Sequence, residues 1–471
     1  MQNQYVIMIH KRIIYLSSLL FFSQQISAQE NTITRGQLVK DIGYLKNAIE
    51  STPVSPFNKI PKNTFRNQLQ KTKLELLKKK NISVFDMYLA LQPLIVKLED
   101  GHMELDCTEA FSKLNYFVFP FLFDTSDNSL SIKNIKRVYR DLIPKEVAGK
   151  KITSINGFST EKVLNIFNTY TSGESEYRRL YMSNDYLNIY YNFLFNATSN
   201  LEVNFQDGSS LKIALLKKMD ARKLINEINE NDKNKNSQTH TDRKYNYKIV
   251  NSKYALLTFN SFFDIKEFTV FLKKMFSDLK AKHIQNLIID IRSNGGGNSL
   301  LGSELLSYFI NKPFYQFDKA ILKYSEISKQ DFFKSTQNTD KQKLEYMNKK
   351  NGSSEIKDLS QELVSPKNKE EQYSGKVYLL TSPYTFSSAT DFTNAFKYYK
   401  VGEVIGEETG GILVSPGDVV TTYLPNSKLE LSITTSKYYS IGAKENDNRG
   451  VIPDHNIKAD KALDYAIGLV K

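Results

Sequence analysis

Residues 248–471 predict an α/β core, an open mixed sheet assembled from βαβ units. Three observations carry this. Residues 287–291 are apolar but for Asp290, as expected of a strand buried on both faces. Residues 265–279 and 388–399 set apolar side chains at helical spacing, with Phe392, Ala395, Phe396 and Tyr399 on one face of the second. Strand-like runs at 254–259, 377–381 and 404–405 alternate with these helices and with a further one at 302–309. Such alternation implies crossovers and a sheet covered by helices.

Upstream, the pattern changes twice. Leu38, Ile42, Leu45 and Ile49 recur at helical spacing, as do Leu69, Leu74 and Leu77, and then Leu91, Leu94 and Ile95. Pro53, Pro56 and Pro61 separate the first helix from the second. Residues 29–107 therefore read as a helical subdomain. Residues 108–216 read as a small β-rich module, with strands at 116–123, 130–135, 151–155, 201–205 and 211–216 and a short helix at 161–170. An Asn156-Gly157 turn follows the third strand. Residues 217–247 are polar and read as a linker, and 325–372 as a polar excursion from the core with short helices near Phe332 and Leu344.

Residues 1–28 have the features of an export signal. His10, Lys11 and Arg12 give a basic start, and 13–22 is apolar but shorter than the roughly 20 residues a membrane span needs. Small residues lead to Ala28 before Gln29, a site for cleavage. The expectation is an exported protein, periplasmic or secreted, with no stable membrane anchor once the signal is removed.

A formal charge of +13 can mark a nucleic-acid or membrane partner. Here the lysines are scattered through Lys- and Asn-rich stretches, which reads as solvated surface, and no nucleic acid is expected as partner. A single cysteine, Cys107, excludes an internal disulfide framework and a cysteine-based metal cluster. No metal site and no cofactor is implied.

Two stretches combine residues that carry chemistry. In 287–298 the buried strand runs directly into Gly295, Gly296 and Gly297, which leave backbone N–H groups open to a ligand. Such a loop serves as a phosphate cradle, an oxyanion hole or a plain turn. The phosphate motifs, G-x-G-x-x-G or a loop ending in Gly-Lys-Ser/Thr, are absent. The second stretch is 385–400, where Ser387 and Ser388 open a helix. A serine there is either a cap or a nucleophile beside unpaired N–H groups. Outside the signal and the linker, the histidines are His102, His283 and His455. His102 stands where helix gives way to strand, a place where functional groups are displayed.

These stretches occur in one order: LEDGHMEL at 98–105, GKKITSING at 149–157, DIRSNGGG at 290–297, TFSSATDF at 385–392, VIGEETGG at 404–411 and RGVIPD at 449–454. Together they resemble the tail-specific, or carboxyl-terminal processing, serine peptidase family in its tricorn-like branch. The resemblance runs from about residue 35 to the end. It implies a crotonase-like core and a PDZ-like module over 108–216. It implies Ser388 as nucleophile, with Ser387 its neighbour, and an oxyanion hole from the N–H of Ala389 and that of Gly295 or Gly296. The processing branch has a lysine base after the Gly-Gly of the fifth motif; here Ile412 stands there, and no lysine lies between Lys400 and Lys428. The tricorn-like branch uses a histidine, which maps to His102, and a later acidic residue, for which Glu445 and Asp447 are both in reach. That branch has a serine before the histidine, where this chain has Gly101.

The reading is an exported serine endopeptidase that cleaves unfolded or C-terminal segments of polypeptides. The β-rich module would take a peptide end by strand addition, and the basic surface would favour acidic or unstructured substrates. A non-catalytic protein binding peptides or apolar ligands on the same scaffold is the alternative; retention of Ser388, His102 and the glycine loop together argues against it. An exported esterase is a third reading, against which the missing G-x-S-x-G elbow counts.

Overall fold

The computed structural model describes residues 32–125, 129–195, 197–233, 244–335 and 339–470. The export signal read over 1–28 lies outside the described residues. None of the described helices is long and apolar enough to cross a membrane.

Six strands form the sheet of the core: Tyr245–Val250, Tyr254–Phe259, Asn286–Asp290, Lys376–Thr381, Glu403–Gly406 and His455–Asn456, side by side in chain order. The first pair is antiparallel and every later neighbour is parallel, so the sheet is mixed. Helices Ile265–Ala281 and Ser388–Tyr398 make two of the crossovers. Successive side chains of a strand point to opposite faces. Leu287 and Ile289 accordingly pack with Phe268, Leu272, Phe392 and Phe396 of these helices. Ile288 turns the other way, to Leu256, Leu380, Ile405 and to Ala462 and Ala466 of helix Ala462–Leu469. With cover on both faces, the middle of the strand, Leu287, Ile288 and Ile289, is apolar.

A second, antiparallel sheet carries Ser354–Asp358, Phe317–Lys323, Glu430–Ser440 and Val414–Tyr423 in that order. Strand Glu104–Asp106, directly after His102, adds to Glu430–Ser440 through Glu430, Leu431 and Ser432. One long strand thereby holds the segment around His102 against the core.

The N-terminal helices are Arg35–Ser51, Lys62–Leu77 and Val84–Val96, the first and third opened by capping boxes from Thr34 and Ser83. Residues 108–216 hold a two-stranded sheet, Phe121–Asp124 with Ser131–Ile135, and a four-stranded one in the order Phe158–Ser159, Ile152–Ile155, Asn200–Phe205, Ser210–Ala214. Helices Glu176–Met182 and Leu187–Leu194, which the sequence pattern did not predict, fall in the chain between Phe158–Ser159 and Asn200–Phe205 of the second sheet. The helical region and the β-rich region share one hydrophobic cluster, which continues into Leu424, Leu429, Leu431 and Ile433 of the core.

The stretch read as a polar linker contains helix Lys218–Lys233. Its apolar residues Ala221, Leu224, Ile225 and Ile228 are buried or half-buried, a helical spacing hidden by surrounding Lys, Asn and Glu. In the excursion, helices Glu326–Lys334 and Asp340–Met347 stack Phe332 on Tyr346, centroids 4.0 Å apart.

Candidate active site

The glycine loop and the serine turn meet at the ends of the parallel strands, where open α/β sheets bind ligands. Ser387 precedes helix Ser388–Tyr398 with φ of 52° and ψ of −131°, a backbone that serine rarely adopts. Its side chain makes no cap bond. Gly296 has φ of 98°, and a Cβ there would lie 2.7 Å from the Phe386 carbonyl oxygen and 3.0 Å from the Ser388 nitrogen. Only glycine allows the two segments to approach so closely. Phe262 fixes the loop from the other side: its N–H donates to Gly296 O at 3.1 Å, and its carbonyl accepts from the Asn298 N–H at 2.8 Å. The Ser388 hydroxyl, in a residue only 7% exposed, donates to Gly297 O at 2.6 Å.

His102 and Ser388 line the same cleft, of about 450 Å³, together with Gly295, Gly297, Phe386, Ser387 and residues 415–419 of the antiparallel sheet. His102 contacts the Phe386 ring at a centroid separation of 4.4 Å. The Arg178 guanidinium carbon lies 3.3 Å from the centroid of that ring. Phe386 thus ties the histidine to the turn that presents Ser388.

Two carboxyl groups flank the imidazole. His102 Nδ1 lies 3.8 Å from Asp100 Oδ1 and 3.9 Å from Glu174 Oε1, both beyond hydrogen-bond length. Asp100 is oriented by the His102 backbone N–H at 2.9 Å and by the Thr434 hydroxyl at 2.8 Å. Glu174 packs against Gly101, where a Cβ would fall 2.5 Å from its Oε2 and 2.9 Å from its Oε1. The glutamate therefore fills the space that a side chain at position 101 would need.

Burial dominates the electrostatics. It pushes Asp100 up to about 6, against the hydrogen bonds from His102, Thr434 and Met103. It pushes Glu174 up to about 7, against the attraction of Arg178. It brings His102 down to about 3, assisted by the positive charge of Arg178. The imidazole is neutral at physiological pH, the form that accepts a proton, and its separations from the two carboxyls are contacts rather than ion pairs.

Of the residues predicted from sequence, Ser388, His102 and Gly295 come together in the cleft. Glu445 does not join them. It accepts from Lys437 and Tyr439, each at 2.9 Å, and its side chain is 61% exposed. Asp447 accepts from the Lys444 N–H at 2.7 Å in the same exposed turn. Both line a second cavity, of about 580 Å³, with Asp100 among its walls but neither His102 nor Ser388. The carboxyls beside the histidine are Asp100 and Glu174.

The predicted oxyanion donors also differ. The Gly296 N–H donates to Asn294 Oδ1 at 2.9 Å, and the Ala389 N–H to Phe386 O at 3.1 Å. A Gly297 carbonyl, not an N–H, faces the Ser388 hydroxyl. The excess of positive charge does not enter the cleft either: besides His102, its ionisable acid–base lining is Asp391, Asp418 and Tyr438, with no lysine or arginine. Asp290 and Arg292 pair with each other, at 2.6 and 2.9 Å. Asp454 fixes a turn through Val404 N–H and Lys397.

Residues 253–457 match the model of Peptidase family S41. No curated protein sequence matches the chain. Among solved structures, a point mutant of CPAF aligns with TM-score 0.64 and 14% identity over 93% of this chain and 97% of that one. Mature CPAF complexed with lactacystin aligns with TM-score 0.61 and 15% identity over 93% and 98%. At that identity the likeness is one of fold, and it extends well beyond the matched segment. The family match covers the segment that holds the strand-end glycine loop and the serine turn, and it supports a serine peptidase of the S41, tail-specific kind.

Proposed function

We propose that the protein is an exported endopeptidase that cleaves unfolded or C-terminal segments of polypeptides, with Ser388 as nucleophile and His102 as general base. The observation that carries this reading is the convergence of Ser388, His102 and the glycine loop on one cleft, although His102 and Ser388 are far apart in sequence. In the reaction, Ser388 Oγ attacks the peptide carbonyl and the neutral His102 ring takes its proton. The imidazolium then returns the proton to the leaving amine, and a water activated by the same ring hydrolyses the acyl-enzyme. Asp100 and Glu174 stabilise the transient imidazolium.

Two rearrangements precede the chemistry. The Ser388 hydroxyl gives up its bond to Gly297 O. The glycine loop turns N–H groups, among them that of Gly295, toward the developing oxyanion. The β-rich region at 108–216 is read as a PDZ-like module that takes the end of the substrate, and the features of residues 1–28 support export.

The test is digestion of a reduced, unfolded polypeptide by the mature chain, with the products identified by mass spectrometry. Discrete internal or tail cleavages that vanish in Ser388→Ala are expected. Identical products from Ser388→Ala would overturn the assignment. Intact substrate with the wild-type chain would favour the binding-protein alternative.

A further inference from the structure

We infer that Asp100, His102 and Glu174 form a site for a divalent cation of the zinc class, and that the bound cation takes His102 out of service as a base. The binding claim stands by itself; its consequence for catalysis rests on the function proposed above.

The three residues arrive from different parts of the chain. Asp100 and His102 lie at the end of the N-terminal helices, pinned by Thr434 and by the strand pairing at Glu104–Asp106. Glu174 comes from the loop before helix Glu176–Met182. One donor atom from each lies within 4.8 Å of the others. Ligands on a tetrahedral zinc with bonds of about 2.0–2.1 Å are roughly 3.3 Å apart. The separations of 3.8 and 3.9 Å at His102 Nδ1 need only a small contraction.

A second observation points to a ligand. Both ring nitrogens of His102 and both carboxylate oxygens of Glu174 are buried without a hydrogen-bond partner. The Glu174 side chain is 2% exposed, and its Oε1 is directed at the histidine. The backbone N–H groups of Gly101 and of Glu174 itself lie near the carboxylate and favour its charged form. Four unpaired buried polar atoms in one place are uncommon, because each is costly to leave so. A cation between them would satisfy one nitrogen and two carboxylates at once.

The charges are compatible. Arg178 Nε lies 3.9 Å from Glu174 Oε2, on the oxygen turned away from His102. The guanidinium offsets one of the two carboxylates, leaving a net negative cluster for the cation. Imidazole with carboxylate oxygens suits zinc and its neighbours. A fourth position remains for water.

The effect on the base follows from the two ring nitrogens. With Nδ1 on the metal, the neutral ring carries its proton on Nε2. Neither nitrogen then has a lone pair for the Ser388 proton. The cation acts as a reversible inhibitor by removing the acceptor, without blocking the cleft.

The experiment uses the mature chain carrying Ser388→Ala, which prevents self-cleavage and leaves the three ligands intact. Zinc chloride is titrated calorimetrically, and cobalt(II) replaces it for visible absorption. One-to-one uptake is expected, with cobalt bands of a low-coordinate site. Adding Glu174→Gln or Asp100→Asn should weaken uptake at least about tenfold, with the fold verified by circular dichroism. Adding His455→Ala, at the surface pair of His455 with Glu403, should leave it unchanged. No saturable uptake, or uptake that survives Glu174→Gln and Asp100→Asn, overturns the site. In the wild-type chain, zinc should suppress labelling by a fluorophosphonate, and a chelator should restore it. Labelling indifferent to zinc that binds at this site overturns the inhibitory role while the peptidase reading stands. No labelling even after chelation overturns the peptidase reading, and the titration still decides the metal site.

Discussion

The Ser388 hydroxyl gives its proton to the carbonyl oxygen of Gly297 at 2.6 Å, across the gap between the helix start and the glycine loop. In the proposed mechanism, the bond spends the donor that His102 would accept from. It also aims a carbonyl at the place where an oxyanion needs N–H groups. For the proposed reaction this arrangement is a resting one, closed by a single hydrogen bond and by the two bonds that hold the loop to Phe262.

A bond of this kind contributes modestly to stability. Ser388→Ala is expected to lower unfolding free energy by about 0.5–1.5 kcal/mol in urea. A loss far above that would mean that the serine is chiefly structural.

Gly101 and Glu174 compete for the same volume. Gly101→Ala should destabilise the fold by about 1–3 kcal/mol, because the new methyl meets Glu174 and the Phe386 ring. Glu174→Ala should relieve part of that loss in the double variant. Additive losses in urea denaturation would contradict the shared space.

These particulars show how far the sequence could be read. The α/β core was legible because buried strands and amphipathic helices impose periods, and because Leu287, Ile288 and Ile289 are apolar on both faces. Ser388 and the glycine loop were legible because their order along the chain is specific. Glu174 and Arg178 were not: a carboxylate enclosed beside a histidine has the same letter as one on the surface, and no periodicity marks it. Glu445 and Asp447 were placed by their distance from a motif, yet the turn that carries them pairs with Lys437, Tyr439 and its own backbone. Helix Lys218–Lys233 was missed because its polar residues outweigh a narrow apolar stripe.

Asp391, one turn into the serine helix, is held by the Ser440 hydroxyl at 2.6 Å, and burial pushes its carboxyl up from 3.8 to about 7. The folded state binds this proton more tightly than the unfolded one. The resulting stability is fully present below about pH 4 and is lost as pH rises to about 7, a change on the order of a few kcal/mol. Asp391→Asn should raise the melting temperature at about pH 8 and leave it little changed at about pH 4. An equal shift at both pH values would contradict the buried-carboxyl account.

Asp418 lies in the cleft wall and has neutral hydrogen-bond donors, Ser436 and Tyr438. With no lysine or arginine lining the cleft, peptides carrying Lys or Arg near the cut bond should be cleaved faster than those carrying Glu. Asp418→Asn should shrink that ratio several-fold. A library cleaved with no charge preference, or with the preference unchanged in Asp418→Asn, would contradict this, and the basic surface would then be the feature to pursue.

The central claim is that Ser388, activated by His102, is the nucleophile. The most direct measurement is fluorophosphonate labelling of the purified mature chain, with the modified peptide identified by mass spectrometry, beside Ser388→Ala, Ser387→Ala and His102→Ala. The account predicts a label on Ser388 that is absent from Ser388→Ala, retained in Ser387→Ala and strongly slowed in His102→Ala. A label on another residue, equal labelling of Ser388→Ala, or a folded wild-type chain that takes no label would contradict it.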